Sequence, residues 1–176
     1  FEAYEGGKSR MFSNQSADSV AVVPLGSRFE REGGRARRVT FGGSGADFAV
    51  TDGAITAAGR TVLAAGRLPI PGGHNLLNAA AATAAAVSHG ADAELVGEAL
   101  AGFPGVPHRL ELVADDNGVL WFNDSKSTNV DATLTALAAL DGPVRLILGG
   151  QSKGQDFDGL SAAVSSTCAS IHLIGE

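Results

Sequence analysis

The polar run Asp124-Ser125-Lys126-Ser127-Thr128-Asn129 follows the apolar stretch Val119 to Phe122 and precedes a helical pattern that begins near Val130. A loop at the carboxyl end of a strand, with a helix N-terminus behind it, can converge backbone amides, a hydroxyl and an ammonium on an anion. Asp124 is the odd member, because a carboxylate among anion binders is better used on a ribose hydroxyl. The same run also reads as a solvated turn in which Ser127 or Asn129 caps the helix. A second loop, Gly149-Gly150-Gln151-Ser152-Lys153, follows the apolar Val144 to Leu148. Its glycines allow close backbone approach, Lys153 adds a point charge, and Asp156 is expected to cap the helix that follows.

Three further positions carry chemical potential. Asn75 and Asn78 lie three residues apart at the start of an Ala-rich segment, so both amides are expected on one helix face, where they suit a purine edge. Helix capping accounts for Asn75 but poorly for Asn78. Arg109, after Pro104, Gly105 and Pro107, stands where a guanidinium can reach a phosphate, or alternatively pair with Glu111 or another carboxylate. Lys8 falls near the centre of a helical face formed by Phe1, Tyr4, Met11 and Phe12, where it is expected to be desolvated. Burial favours the neutral amine, which can react with carbon dioxide to give a carbamate, an oxygen ligand of the kind magnesium prefers. The alternative is a lysine that rests its stem on the apolar face and keeps its ammonium in water.

Other chemistries find little support. The glycines match neither the G-x-G-x-x-G dinucleotide fingerprint nor the G-x-x-x-x-G-K-[ST] phosphate loop. His74, His89 and His172 lack companion ligands for a metal. The single cysteine, Cys168, excludes an internal disulfide and reads as a small buried hydrophobe. A net charge of -6 argues against a nucleic-acid surface, and Arg28, Arg31, Arg35, Arg37 and Arg38 alternate with Glu30 and Glu32 as a solvated face would. No apolar run approaches the roughly 20 residues that span a bilayer, and the first residues are unlike a signal peptide, so a cytoplasmic protein without membrane contact is expected.

These residues need elements to hold them. Short strands are predicted at Val20 to Pro24, Arg38 to Phe41, Phe48 to Thr51, Ala54 to Thr56 and Thr61 to Ala65, with Thr51-Asp52-Gly53-Ala54 the strongest hairpin signal. The Ala-rich stretch from His74 predicts a long helix closed by Gly90, and Asp92 an N-cap for its neighbour, which ends near Gly102. Pro104, Gly105 and Pro107 mark a boundary, giving domains 1–103 and 104–176. Beyond it, strands at Leu110 to Val113, Val119 to Phe122, Val144 to Leu148 and Ile171 to Ile174 alternate with helices at Val130 to Leu140 and Leu160 to Val164. That alternation predicts an α/β fold with a mainly parallel sheet. Both ends are expected to continue in a longer chain.

In order, Y-x-x-x-K from Tyr4 to Lys8, H-N-x-x-N-A from His74, G-x-P-H-R-x-E from Gly105, N-D-S-K-x-T-N from Asn123 and L-G-G-x-x-K from Leu148 resemble the motifs of the Mur ligase family. The N-D-S-K-x-T-N loop is closest to the branch that adds D-glutamate (the MurD type). The resemblance implies the later part of a central ATPase domain followed by the earlier, Rossmann-like part of a C-terminal amino-acid-binding domain. It implies an ATP- and Mg2+-dependent ligase, joining D-glutamate to UDP-N-acetylmuramoyl-L-alanine through an acyl phosphate in peptidoglycan precursor synthesis, with a monomer expected. Carried over by position, Asn75 and Asn78 resemble adenine contacts, Asp124 the ribose contact, and Arg109 and Lys126 phosphate contacts. Thr128 and Lys153 match positions that hold the D-glutamate carboxylates, and Lys8 matches the lysine used as a magnesium-binding carbamate. The phosphate loop has no counterpart in this sequence, so the isolated chain is expected to be inactive. A ligase of the same superfamily adding another amino acid, and a binding module that kept part of a nucleotide site, are the competing readings. A dinucleotide-dependent oxidoreductase lacks its glycine fingerprint.

Overall fold

A computed structural model describes residues 2–32, 34–151 and 154–175, with side chains from residue 6 onward. The chain divides into two compact units, one of residues 1–69 and 75–103 and the other of residues 70–74 and 104–176.

The first unit begins with helix α1 (Glu2–Ser13) and continues through strands β1 (Val20–Pro24), β2 (Arg37–Gly42), β3 (Phe48–Thr51), β4 (Ala54–Ala57) and β5 (Arg60–Ala64). They form one sheet in chain order, parallel from β1 to β3 and antiparallel from β3 to β5. The switch occurs at the Asp52-Gly53 turn, where both residues have positive φ (50° and 69°), the signature of a tight hairpin whose twist matches the strands. Helices α2 (Gly73–Ser88) and α3 (Ala93–Ala101) complete the unit.

Ile55, Leu63, Leu76, Ala79 and Ala80 form the main core cluster of this unit. The alanines of α2 bring the helix close to the sheet, and the one fully buried hydroxyl there, on Thr83, donates to the Ala79 carbonyl at 2.8 Å. Asp92 caps α3 as its sequence position predicts, accepting from the amides of Glu94 (2.8 Å) and Leu95 (3.1 Å). Gly97 lets α3 lie directly against β5, since a Cβ there would overlap the Val62 carbonyl.

The arginine-rich stretch is only partly the solvated face that its charge alternation predicts. Arg28 does pair with Glu32 at 3.1 Å. Arg38, however, lies over the Phe12 ring at 5.4 Å and donates to the carbonyls of Phe29 (3.3 Å), Ala36 (3.0 Å) and Glu32. It ties β2 to the loop before it, a role that charge pattern alone does not announce.

The second unit holds β6 (Glu111–Asp116), β7 (Val119–Asn123), α4 (Val130–Leu137), β8 (Val144–Gly149), α5 (Leu160–Thr167) and β9 (Cys168–Ile174). The mainly parallel arrangement expected here holds for β8 and β9, joined through α5, but β6 and β7 pair antiparallel in a separate hairpin. Two strands separated only by Asn117-Gly118, both at positive φ, have no room for the crossover that parallel pairing requires. Leu112, Val119, Leu120 and Trp121 of the hairpin, and Leu173 and Ile174 of β9, are exposed. Cys168 is half-buried rather than enclosed, and burial raises its thiol pKa.

Candidate functional site

The loop between β7 and α4 is built as a rigid frame. The Ser125 amide donates to Asn123 Oδ1 (3.1 Å), the Lys126 amide to the His108 carbonyl (3.0 Å) and the Ser127 amide to the Asp124 carbonyl (2.8 Å). At the start of α4, Asn129 is the cap and accepts from the Ala132 amide (2.8 Å), while the Val130 amide donates to Gln155 Oε1 (3.1 Å). These amides therefore have partners within the protein, which narrows the anion-binding role expected for the loop backbone. The exposed side chains of Ser125, Lys126 and Thr128 remain presented to solvent on that frame. Ser127 faces inward, its hydroxyl 3.4 Å from that of buried Thr133.

A second frame lies beside it. Between Val106 and Glu111 the chain makes a tight turn in which His108 and Leu110 have φ of 65° and 45°, a region that side-chain-bearing residues enter at a cost of about 1 to 3 kcal/mol. Four bonds hold it: Arg109 amide to the Val106 carbonyl (3.1 Å), His108 amide to Glu111 Oε2 (2.7 Å), Leu110 amide to Asp124 Oδ1 (3.0 Å), and Lys126 amide to the His108 carbonyl. Asn123 Nδ2 lies 2.9 Å from His108 Nδ1 and adds a side-chain link. Buried Leu110 anchors the turn, and Arg109 between the two strained residues is exposed. Glu111 thus engages His108, and the turn brings Arg109, Asp124 and Lys126 into one neighbourhood. One Asp124 oxygen is committed to the Leu110 amide, and its carboxylate has a second.

The loop after β8 differs from its sequence reading. The close approach at Gly149 is to the neighbouring strand, where a Cβ would overlap the Ile174 carbonyl. Gly150 has φ 118° and donates its amide to that same carbonyl at 3.3 Å. Asp156 does not cap α5: it accepts from the Asp158 amide (2.9 Å) within its own turn, and the cap position of α5 falls three residues later, at Gly159. Lys153 lies outside the described residues. Gln155 is the residue of this loop that sequence reading missed, because its partners are 25 and 27 positions away.

In the first unit, Asn75 is buried and Asn78 exposed. A three-residue step leaves the two positions about 60° apart around the helix, on one side of α2, with only Asn75 covered. Lys8 is exposed, and Met11 is 65% exposed, so the desolvated lysine expected on α1 is not observed. Among the described residues of α1 the apolar cluster engages Phe12, against Ala21, Val23 and Ala36. A lysine one turn away has no need to be buried with it. The described residues contain no group of three or more His, Cys, Asp or Glu that could hold a metal ion. Nor is any helix among them long and apolar enough to cross a membrane.

No family model matches the sequence. Individual proteins do. The chain is 39% identical over 98% of its length to the UDP-N-acetylmuramoylalanine–D-glutamate ligase of Dechloromonas aromatica (strain RCB), and 41% identical over 90% of its length to that of Geobacillus kaustophilus (strain HTA426). It spans 39% and 37% of those relatives. Among solved structures, a UDP-N-acetylmuramoyl-L-alanyl-D-glutamate–2,6-diaminopimelate ligase is similar over 99% of the chain and 40% of its own (TM-score 0.67, 19% identity). The corresponding D-alanyl-D-alanyl ligase of Acinetobacter baumannii is similar over 88% of the chain and 42% of its own (TM-score 0.62, 20% identity). The fold is thus that of Mur ligases, and by its sequence the chain belongs with the UDP-N-acetylmuramoylalanine–D-glutamate ligases of that family, matching about two fifths of their length.

Proposed function

We propose that this chain forms part of an ATP-dependent ligase that joins the amine of D-glutamate to the L-alanyl carboxylate of UDP-N-acetylmuramoyl-L-alanine, a step of peptidoglycan precursor synthesis in the cytoplasm. Residues 1–103 would belong to the ATPase domain and 104–176 to the amino-acid-binding domain of a monomeric enzyme. The observation that carries this reading is the β7–α4 loop, whose amides bond internally while the Lys126 and Thr128 side chains are exposed and the Lys126 amide is tied to the turn that carries Arg109.

In this assignment Asn78, with its exposed amide, reads the adenine edge and Asn75 supports it from the buried side. The free oxygen of Asp124 accepts from a ribose hydroxyl. Arg109 and Lys126 offset charge on the phosphates, and Thr128 with Lys153 holds the carboxylates of D-glutamate. ATP converts the carboxylate, whose oxide is a poor leaving group, into an acyl phosphate that an amine can attack. The chain's own groups orient the reactants and screen charge. The described acidic and histidine side chains do not by themselves make a magnesium site, so no step is assigned to the metal. A metal-binding carbamate on Lys8 rests on the family resemblance alone, its exposure having removed the argument from desolvation. With no phosphate loop in its sequence, the isolated 176-residue chain should not turn over.

The test is steady-state kinetics of a full-length ligase that contains this chain. Thr128→Ala or Lys153→Ala should raise KM for D-glutamate by roughly ten- to a hundredfold, the range for a charge-assisted contact, with KM for ATP little changed. An equal rise for ATP would remove both residues from the amino-acid site.

A further inference from the structure

We propose that Gln155 is a positioning residue for the D-glutamate-binding loop, fixing Thr128 through its backbone. The inference rests on the reading of Thr128 given above. The Gln155 side chain donates from Nε2 to the Thr128 carbonyl (3.2 Å) and accepts at Oε1 from the Val130 amide (3.1 Å). Asn129 between them is extended, with φ -149° and ψ 165°. A carbonyl and an amide flanking one extended residue are the pair that a neighbouring parallel strand would bond. A primary amide reproduces that donor and acceptor on one planar group, so Gln155 acts as a one-residue strand laid against 128–130.

Asn129 already caps α4 through the Ala132 amide. Were Gln155 only a second cap, its acceptor oxygen would suffice. The donated bond to Thr128 lies outside the helix and fixes a residue whose side chain is exposed. It also ties that residue to the segment that carries Lys153 two positions earlier in sequence.

Gln155→Met keeps length and bulk and removes both bonds. In a full-length ligase that contains this chain, it should raise KM for D-glutamate about three- to tenfold, with KM for ATP and kcat at saturating D-glutamate within about twofold. Loss of stability alone would lower the active fraction, and so kcat, without moving KM. The effect should vanish in a Thr128→Ala background, because Gln155 acts through that residue. Hydrogen exchange should also speed up at the Val130 amide and stay unchanged at Ala132. Unchanged KM for D-glutamate in Gln155→Met, or an additive effect with Thr128→Ala, overturns the inference while leaving the reading of the site intact. Thr128→Ala without effect on that KM overturns the reading itself, and the inference with it.

Discussion

Asp124 carries two duties that one pair of substitutions separates. One of its oxygens accepts from the Leu110 amide at 3.0 Å and so pins a turn whose residues 108 and 110 sit at positive φ. Its other oxygen is the proposed ribose contact. Asp124→Ala leaves the amide of buried Leu110 without its acceptor, worth about 1 to 3 kcal/mol. Relaxation of the strained turn returns part of that, so a net loss of about 1 to 2 kcal/mol is expected. Asp124→Asn keeps an oxygen for Leu110 and removes the charge alone. In thermal unfolding of the 176-residue chain, the alanine variant should lower the midpoint of the second unit, by roughly 4–8 °C per kcal/mol for a unit of this size. The asparagine variant should unfold near the wild type. In a full-length ligase both should raise KM for ATP roughly tenfold or more, and only the alanine variant should also depress kcat, because Arg109 loses the turn that presents it. Equal destabilisation by the two variants would refute the structural duty, and an unchanged KM for ATP in both would refute the ribose contact.

Two further outcomes follow from packing. Gly97→Ala should destabilise the first unit by about 1 to 2 kcal/mol, because overlap with the Val62 carbonyl outweighs the roughly 1 kcal/mol gained in helix propensity; a rise in denaturant midpoint would mean that propensity wins and α3 is free to shift. Since burial raises the Cys168 pKa, less thiolate is present near pH 8 than in the unfolded chain, so iodoacetamide should label the folded protein more slowly than the urea-unfolded one. Equal rates at matched pH would contradict that.

Local pattern was a good guide wherever a residue's conformation depends on its near neighbours. The β1 strand at Val20–Pro24, the Asp52-Gly53 hairpin and the Asp92 cap are all decided within a few residues, and all stand where the sequence reading puts them. It failed where a distant partner decides. Helical spacing puts Lys8 on an apolar face, but which turns of a helix are covered depends on what packs against it, and α1 meets its cluster at Phe12. Arg38 looks solvated until the distant Phe12 ring and three carbonyls of the loop before β2 close around it. Gln155 carries no local signal, because an amide in a polar loop is unremarkable without residues 128 and 130 beside it. The anion-binding role expected for the loop amides is narrowed for a related reason: the Lys126 and Val130 amides find acceptors at His108 and Gln155, outside the loop.

The internal bonding of the β7–α4 loop also bears on how such a site diversifies. When recognition is made by backbone amides, a new ligand demands a new loop conformation. Here the amides of Ser125, Lys126, Ser127, Val130 and Ala132 answer to partners inside the protein, and the outward side chains at 125, 126 and 128 are attachments to a frame that folds without them. Replacing an attachment leaves the frame's bonds in place, so under the proposed function the identity of the incoming group can drift by point substitution while the chain keeps its fold. Solved ligases named for diaminopimelate and for D-alanyl-D-alanine share this fold with the chain at only 19–20% identity, as a scaffold with exchangeable fittings allows.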